Sequence, residues 1–233
     1  MNVLKNLKKT NYCPICKNKN FKNLGKTHNL HNNLDNFIDL IKCSSCKHCC
    51  LSLMPDQNLL DELYKQRSDY VFANSKIKFL QQKNYIEKKM EGVQVDYTHW
   101  VYQYLKPGIY LEVGPGNCVL FKTFKSSGWY CEGYELWGWI KSESIYHDYD
   151  AIPKNHKDVI VMHDVLEHVV DPTKFLKKFS ILQKKSGKLF LSFPNADSLR
   201  AKLFKSKWRM VVPLTHINFF SKESTKKLLE NCG

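Results

Sequence analysis

The sequence predicts an α/β protein with a mostly parallel sheet and helices on both of its faces, preceded by a small metal-binding module and a helical linker. Three observations predict this architecture. Two Cys-x2-Cys pairs lie near the N-terminus, a strand, a glycine turn and a helix follow one another from Ile109, and further strand-like segments continue towards the C-terminus. With 43% apolar and 25% charged residues, the 233-residue chain has enough material for a hydrophobic core. We expect the module over residues 1–54, the linker over 55–106 and the α/β domain over 107–233.

The charge and hydropathy of the chain limit the classes of function. No apolar run approaches the roughly 20 residues that cross a bilayer, and the opening MNVLKNLKKT lacks the apolar stretch of a signal peptide. We therefore expect a cytoplasmic protein without a membrane span. The net charge of +14 would suit a nucleic-acid partner. However, 33 of the 36 basic residues are lysine, whereas phosphate and base recognition favours arginine, so we prefer a solvated basic surface.

Two cysteine pairs indicate a structural zinc site. Cys13 and Cys16 form the first Cys-x2-Cys pair, and Cys43 and Cys46 form the second after 26 intervening residues. Each pair places two thiolates on one tight turn, and together they supply the four tetrahedral thiolates that structural zinc prefers. Nine cysteines in a chain without a secretion signal also argue against disulfides. Four thiolates leave no open position for a substrate, so this zinc would be structural.

The second pair leaves alternatives open. Cys46 and Cys49 have the same spacing as Cys43 and Cys46, although we prefer the latter pair. His28, His31 and His48 could each replace a cysteine ligand, and redox chemistry or chance would also explain the motif.

Residues 55–105 have the spacing of helices. Leu59, Leu60, Leu63 and Tyr64 recur at i, i+3 and i+4, and a longer lysine-rich stretch covers residues 74–91. The Pro107-Gly108 pair then ends this pattern and marks the start of the α/β domain.

A strand, a glycine turn and a helix form the first unit of that domain. Residues 109–113 form a short apolar strand that leads directly into Gly114-Pro115-Gly116-Asn117. The following helix has an apolar face at Leu120, Phe121 and Phe124, and Asn117 is suited to cap it. Glycines at this turn allow the backbone to approach a nucleotide-type cofactor closely.

Two details favour S-adenosylmethionine over a dinucleotide. A dinucleotide site requires a third glycine where this chain has Val119. Glu112 lies inside the motif, where an acid suits the cationic methionine end of S-adenosylmethionine and would repel a phosphate. Glu135 follows a second strand, residues 130–134, and is placed to accept hydrogen bonds from the ribose hydroxyls. Glu112, Gly114, Gly116, Asn117 and Glu135 are therefore candidate cofactor residues.

The motifs together resemble the class I S-adenosylmethionine-dependent methyltransferases, which have a Rossmann-like fold. LEVGPG is similar to their first motif, VIVMHDVLEHVVDP to the fourth strand and its loop in the small-molecule branch, and KLFLSFPNADS to the fifth strand. THINFFSKEST is similar to the segment before the last helix. The cysteine pairs with LSLMPDQNLLDELY resemble the zinc-binding leader of a subgroup often concerned with sugars and surface polysaccharides.

Members of this family usually continue past the last helix into two closing strands. This sequence stops at LLENCG, so we expect a sheet that is short of one or two strands at the C-terminal end.

The fourth strand delivers candidate residues to the ligand-binding edge of the sheet. His163 and Asp164 follow residues 159–162, and Glu167 and His168 come one turn later. The resemblance implies that this loop flanks the methionine part of the cofactor and the acceptor pocket, and that His216 faces the same cavity. His163, His168 and His216 are the candidate catalytic residues, because imidazole accepts a proton near neutral pH.

These candidates also have structural explanations. Glu167 and His168 could pair only to hold the loop, and His216 could be a packed core residue. Asp148 follows the presumed third strand as a candidate ligand of the adenine amine, and Asp164 is a further candidate cofactor residue.

The leading functional hypothesis is methyl transfer from S-adenosylmethionine to a small-molecule acceptor, with a sugar or sugar nucleotide of surface-polysaccharide biosynthesis as the preferred acceptor. An RNA methyltransferase assisted by the zinc module is the alternative from another substrate class. A catalytically inactive cofactor-binding protein is the third hypothesis.

Overall fold

A computed structural model describes residues 7–27, 38–62, 105–116, 118–136 and 142–233. In chain order the elements are β1 (Leu7–Lys9), β2 (Phe21–Lys26), β3 (Asp39–Cys43), β4 (Cys49–Leu51), β5 (Leu53–Pro55), α1 (57–62), β6 (Ile109–Val113), α2 (Val119–Ser126), β7 (Tyr130–Tyr134), β8 (Ile145–Tyr146), β9 (Lys157–His163), α3 (Pro172–Ser180), β10 (Gln183–Ser192), α4 (Leu199–Phe204), β11 (Asn218–Phe219) and α5 (Lys222–Glu230).

The described residues divide into two compact units. The cysteine unit, which contains both cysteine pairs, is formed by residues 7–27, 38–61, 164–180 and 192–233. The sheet unit is formed by residues 62, 105–116, 118–136, 142–163 and 181–191. The predicted division at residues 54 and 106 stays a prediction, because most of the linker lies outside the described residues.

The sheet unit is built around five strands in the order β10-β9-β6-β7-β8. β6 pairs in parallel with β7 and with β9, and β7 pairs in parallel with β8. This arrangement confirms the predicted α/β fold with a mostly parallel central sheet. Helix α2 follows β6 and buries the predicted apolar face of Leu120, Phe121 and Phe124.

Aromatic rings and one ion pair fill the interior of the sheet unit. The rings of Tyr110 and Phe124 stack with centroids 4.4 Å apart, and Trp129 meets Phe124 edge-on at 5.5 Å. Lys157 is fully buried and forms an ion pair with the buried Glu132. Replacing either residue with a neutral one would lower the free energy of unfolding, because the remaining charge would be buried without a partner. The sequence patterns did not predict this pair.

The cysteine unit contains two antiparallel sheets. One has the order β11-β4-β3-β2, and the other pairs β1 with β5. Strand β11 lies next to β4, with Asn218 opposite Cys50 and Phe219 opposite Cys49. This pairing brings the THINFF segment into the sheet that carries the second cysteine pair.

Helix α5 is fixed at its start by a capping box. The Ser221 hydroxyl accepts a hydrogen bond from the Ser224 N–H at 3.0 Å, and the Ser224 hydroxyl accepts one from the Ser221 N–H at 2.8 Å. Reciprocal bonds of this kind satisfy two backbone donors that a helix start leaves open. At the other end, the Asn231 side-chain amide donates to the carbonyl of Ile15, beside the first cysteine pair.

Several predictions fall on residues that the structure does not describe. These are the capping role of Asn117, His28, His31 and the predicted helix over residues 74–91. The described residue that precedes α2, Cys118, has φ 60° and its side chain makes no capping hydrogen bond. Among the helices that the structure describes, none has the length and apolar character needed to cross a membrane.

Candidate functional site

The structure brings the four predicted zinc ligands together in the cysteine unit. The sulfurs of Cys13, Cys16, Cys43 and Cys46 all lie within 4.8 Å of one another. Cys13 Sγ is 3.6 Å from Cys46 Sγ, and Cys16 Sγ is 3.5 Å from Cys43 Sγ. Sulfurs at the corners of a tetrahedron around zinc, each about 2.3 Å from the metal, would be about 3.8 Å apart. The donor set and its spacing therefore fit zinc.

The two cysteine turns repeat the same backbone geometry. In each, the lysine that follows the second cysteine, Lys17 or Lys47, has φ 60° and donates its N–H to the carbonyl of the first cysteine. Burial acts to raise the pKa of the Cys16 thiol. The N–H of Asn18 and the neighbouring thiols outweigh this effect and lower that pKa to about 7. Burial raises the pKa of the Cys43 thiol, and the contact with the Cys13 thiol raises the pKa of Cys46. Of these three thiols, Cys16 is therefore the one most readily deprotonated near neutral pH, and the others would lose their protons to the metal.

The alternative ligands have other contacts in the structure. Cys49 lies in β4, and its thiol points to the carbonyl of Lys47 at 3.8 Å. The His48 ring is fully buried, with Nε2 2.9 Å from Oδ1 of Asn218. Because an amide oxygen only accepts, Nε2 of His48 carries the hydrogen. Burial lowers the pKa of His48 to about 4, so this ring is neutral near pH 7.

In the sheet unit, the predicted cofactor residues follow the carboxyl ends of neighbouring parallel strands. Gly114 follows β6, Glu135 follows β7, and Asp148 lies two residues after β8. The Gly114 N–H donates to the Tyr134 carbonyl, and the Glu135 N–H donates to the Tyr146 carbonyl, both at 2.9 Å. Ligands of open α/β sheets bind at this edge.

The two glycines of the predicted turn have backbone angles that other residues rarely adopt. Gly114 and Gly116 have φ values of 70° and 51°, in the left-handed region that favours glycine. Both are exposed, and a Cβ added to Gly116 would meet no atom within 4 Å. The space next to the Cα atom of Gly116 is therefore open to a ligand.

Glu112 is buried in β6, two residues before Gly114. The Tyr110 hydroxyl donates to its Oε2 at 3.0 Å, and its carboxyl group also accepts from the N–H of Phe121 in the first turn of α2. Burial raises the pKa of Glu112 to about 8, although both hydrogen bonds act to lower it. A carboxyl group in this state would respond strongly to a nearby cation.

The other predicted cofactor residues have simpler surroundings. Glu135 is buried, and its carbonyl accepts a hydrogen bond from Nδ1 of His147 at 2.7 Å. Asp148 is exposed and caps a short 3-10 turn by accepting the N–H of Asp150 at 3.0 Å. Asp164 is exposed, has φ 54° and belongs to the cysteine unit. Their predicted contacts with a cofactor stay predictions.

Two of the three candidate catalytic histidines meet in the cysteine unit. The rings of His168 and His216 lie 4.9 Å apart, edge to face. Nδ1 of His168 is 2.6 Å from the Thr215 carbonyl, and Nδ1 of His216 is 2.7 Å from the Met210 carbonyl. A carbonyl only accepts, so Nδ1 carries the hydrogen in both rings and Nε2 carries the lone pair. The third histidine, His163, ends β9 in the sheet unit.

Glu167 lies beside this histidine pair. Its side chain is 1% exposed, and its Oε1 is 4.0 Å from Nε2 of His168. Burial raises its pKa to about 8, and the charge of Asp164 adds to that effect. Glu167 and His168 are therefore neighbours, as predicted, but the distance between Oε1 and Nε2 is too long for a hydrogen bond.

Sequence reasoning missed Asn218, which connects the second cysteine turn to the loop after His168. Its Nδ2 donates to the Val169 carbonyl at 2.6 Å, while its Oδ1 accepts from His48. The Glu167 carbonyl also accepts the N–H of Ile217 at 2.8 Å. A polar residue inside the otherwise apolar INFF run was the available signal for a buried amide.

Comparison with known proteins supports this description of the fold. A methyltransferase from Archaeoglobus fulgidus, described as SAM dependent, is 18% identical and has a TM-score of 0.52. The match covers 67% of this chain and 74% of that chain. The 1,6-didemethyltoxoflavin-N1-methyltransferase of Burkholderia thailandensis, determined with 1,6-didemethyltoxoflavin and S-adenosylhomocysteine bound, is 10% identical with a TM-score of 0.53. That match covers 86% of each chain. A search of curated proteins gave no significant match.

A match to a family model shows which family the chain belongs to. The model described as "Methyltransferase domain" matches residues 90–233, which is more than half of the chain. The matched region contains the glycine turn, Glu135 and the histidine pair. The protein is therefore a methyltransferase and belongs to the methyltransferase domain family.

Proposed function

We propose that the enzyme transfers a methyl group from S-adenosylmethionine to a hydroxyl group of a small molecule. The observation that carries the proposal is the histidine pair, whose backbone hydrogen bonds set both lone pairs on Nε2. Methyl transfer moves the methyl group from the sulfonium to the acceptor oxygen, while the hydroxyl proton passes to a base. A neutral imidazole with a fixed tautomer is suited to that task.

The methyl donor is inferred from the sheet unit. Its left-handed glycines, buried Glu112 and Glu135 all lie on or after the strands whose carboxyl ends form a ligand-binding edge. The Burkholderia neighbour, which shares this fold, was determined with S-adenosylhomocysteine bound. We assign the methionine end of the cofactor to Glu112 and the turn of Gly114 and Gly116, and the ribose to Glu135.

A sugar nucleotide is the preferred acceptor, and a cleft in the cysteine unit supports it. The cleft has a volume of about 480 Å³, and its lining includes Lys22, Lys42, Lys47, Lys202, Lys205 and Trp208. Lysines attract phosphate, and the buried face of Trp208 offers apolar contact for a ring. Such a cleft fits the diphosphate and base of a nucleotide-linked sugar.

The same lysines would also attract the backbone of RNA, which is the second candidate acceptor. The two candidates are separated by incubating the enzyme with labelled S-adenosylmethionine and either a set of sugar nucleotides or total RNA. We expect label in a sugar nucleotide, with affinity that falls much less with salt than RNA binding would, because only two phosphates meet the lysines. Label in RNA, with affinity falling steeply as salt rises, would favour the second candidate. Absence of transfer to every acceptor, despite cofactor binding, would favour the inactive alternative.

The glycine turn provides a matched test of cofactor binding. Gly116→Ala and Gly128→Ala each place a Cβ at a left-handed residue where no atom lies within 4 Å, so each should cost about 1–2 kcal/mol of stability. Only the Cβ of the first variant would occupy the space of a cofactor that approaches the turn. Calorimetry should show the S-adenosylmethionine dissociation constant raised at least about tenfold by Gly116→Ala alone. Equal affinities in the two variants would contradict the assignment.

Glu112 should release a proton when the cofactor binds. At pH 7, below its pKa of about 8, the free carboxyl group holds its proton. The methionine ammonium favours the carboxylate, which lowers this pKa and expels the proton, so affinity should rise with pH until about pH 8. Calorimetry in two buffers of different ionisation enthalpy measures the released proton. We expect close to one more proton from the wild type than from Glu112→Gln, whereas equal values would show that Glu112 does not meet the ammonium.

A further inference from the structure

Glu167, His168 and His216 form a second cluster of metal-ligating side chains in the cysteine unit. Each offers one ligand atom, and these atoms all lie within 4.8 Å of one another. Glu167 and His168 come from the 3-10 turn Leu166–His168, and His216 comes from the segment before β11. The backbone bond from Ile217 N–H to the Glu167 carbonyl holds the two segments together.

The orientation of both histidines is typical of metal ligands. A metal-binding imidazole usually donates its second ring N–H to a carbonyl or carboxylate, which fixes the tautomer and the ring. His168 and His216 each do so through Nδ1, at 2.6 Å and 2.7 Å. Their Nε2 atoms therefore carry the lone pairs that a metal ion would accept.

The Glu167 carboxyl group lacks the donors that a buried carboxylate needs. Its side chain is 1% exposed, and apart from its own backbone N–H no residue that the structure describes donates a hydrogen bond to Oε1 or Oε2. Burying such a group without partners costs free energy. A cation between the carboxylate and the two imidazoles would offset that cost.

We propose that Glu167, His168 and His216 bind a divalent transition-metal ion at a site separate from the four cysteines. Two imidazoles and one carboxylate are the ligands of many catalytic zinc and iron sites, and three protein ligands leave coordination positions open. The inference rests on the proposed function, because the open position would hold the acceptor hydroxyl. With both Nε2 lone pairs bound to the ion, the histidines would act through the metal and not as bases: the ion would lower the pKa of that hydroxyl, and its proton would pass to water.

The experiment uses Co2+ alone as the probe, added to full-length enzyme that already carries zinc at the cysteines. Calorimetry should show one Co2+ bound per chain, and absorption should lack the intense thiolate-to-cobalt band of a cysteine site. Glu167→Gln, His168→Asn and His216→Asn should each weaken Co2+ binding by more than about 100-fold, since changes to outer-shell residues alone cost about 10–100-fold. The control variant His156→Asn, in the sheet unit, should bind Co2+ as the wild type does.

Two results would overturn the inference: no Co2+ bound by the zinc-loaded wild type, or the same affinity in the three cluster variants as in His156→Asn. Glu167→Gln keeps the size of the side chain, and melting curves without Co2+ show whether each variant is folded. The experiment also distinguishes this inference from the proposed function. If methylation needs His168 but the enzyme binds no Co2+, the histidine acts as a base and there is no metal site. If the enzyme binds Co2+ but methylates no hydroxyl, the metal site exists and the proposed substrate class is wrong.

Discussion

Replacing Cys16 with serine is expected to abolish zinc binding and to lower the free energy of unfolding by more than about 3 kcal/mol. Zinc binding is worth about 10–16 kcal/mol in zinc-finger peptides, so the loss of one ligand removes a large stabilising contribution. Strand β4, next to the second cysteine turn, pairs with β11, and Asn218 in β11 contacts the loop after His168. Turnover should therefore fall together with stability. Metal analysis should show about one equivalent of zinc in the wild type and almost none in the variant.

Cys49→Ser is the matched control for this prediction. Cys49 is buried, as Cys13, Cys43 and Cys46 are, whereas Cys16 is half-buried. Cys49 shares the spacing of the alternative pair, but its thiol lies outside the cluster of four predicted ligands. This variant should keep its zinc and lose only the stability expected of a polar substitution in a core. Zinc lost by Cys49→Ser as well as by Cys16→Ser would assign the second pair to Cys46 and Cys49 instead, and zinc retained by Cys16→Ser would contradict the site.

His168→Ala and His216→Ala are expected to lower turnover by roughly 100-fold or more, while S-adenosylmethionine affinity stays within about twofold of the wild type. General-base catalysis contributes about 100–10,000-fold, and the Nε2 lone pairs are set to accept the proton of the acceptor. Cofactor affinity depends on the residues assigned in the sheet unit, so it should not change. Single-turnover rates with saturating acceptor and calorimetry with the cofactor measure the two quantities.

His156→Ala serves as the control for both histidine variants, because His156 is part of neither predicted site. Full activity in both histidine variants would show that the rate depends only on the alignment of the acceptor with the methyl group, and that the two histidines have a structural role. Loss of cofactor affinity in both would mean that the pair supports the cofactor site rather than the acceptor.

Local patterns in the sequence were sufficient to predict the central strands. Residues 109–113 and 130–134 were predicted as strands and form β6 and β7 with those bounds. An apolar strand next to a glycine turn is a local signal, since the strand and the turn each depend on a few adjacent residues. The cysteine cluster was predictable for the same reason, because each pair forms one turn.

Contacts between distant segments were not predictable in this way. The pairing of β11 with β4 joins residues 168 positions apart, such as Cys50 and Asn218. The buried pair of Lys157 and Glu132 and the burial of Glu167 also depend on tertiary packing. The start of α2 also has a contact that its own residues did not indicate, because the Glu112 carboxyl group in the preceding strand accepts the N–H of Phe121.

The position of β11 also affects how the chain folds during synthesis. The ribosome makes β4 long before β11, so the sheet of the cysteine unit has β4 at its edge until Phe219 has been synthesised. Cys49, Cys50 and Leu51 are all buried in the folded enzyme, and in the growing chain they form an unpaired apolar edge. Unpaired edges of this kind favour intermolecular strand pairing. A chain that has reached residue 51 but not residue 219 therefore lacks the partner of this edge, and a chaperone that shields strand edges would act in that interval.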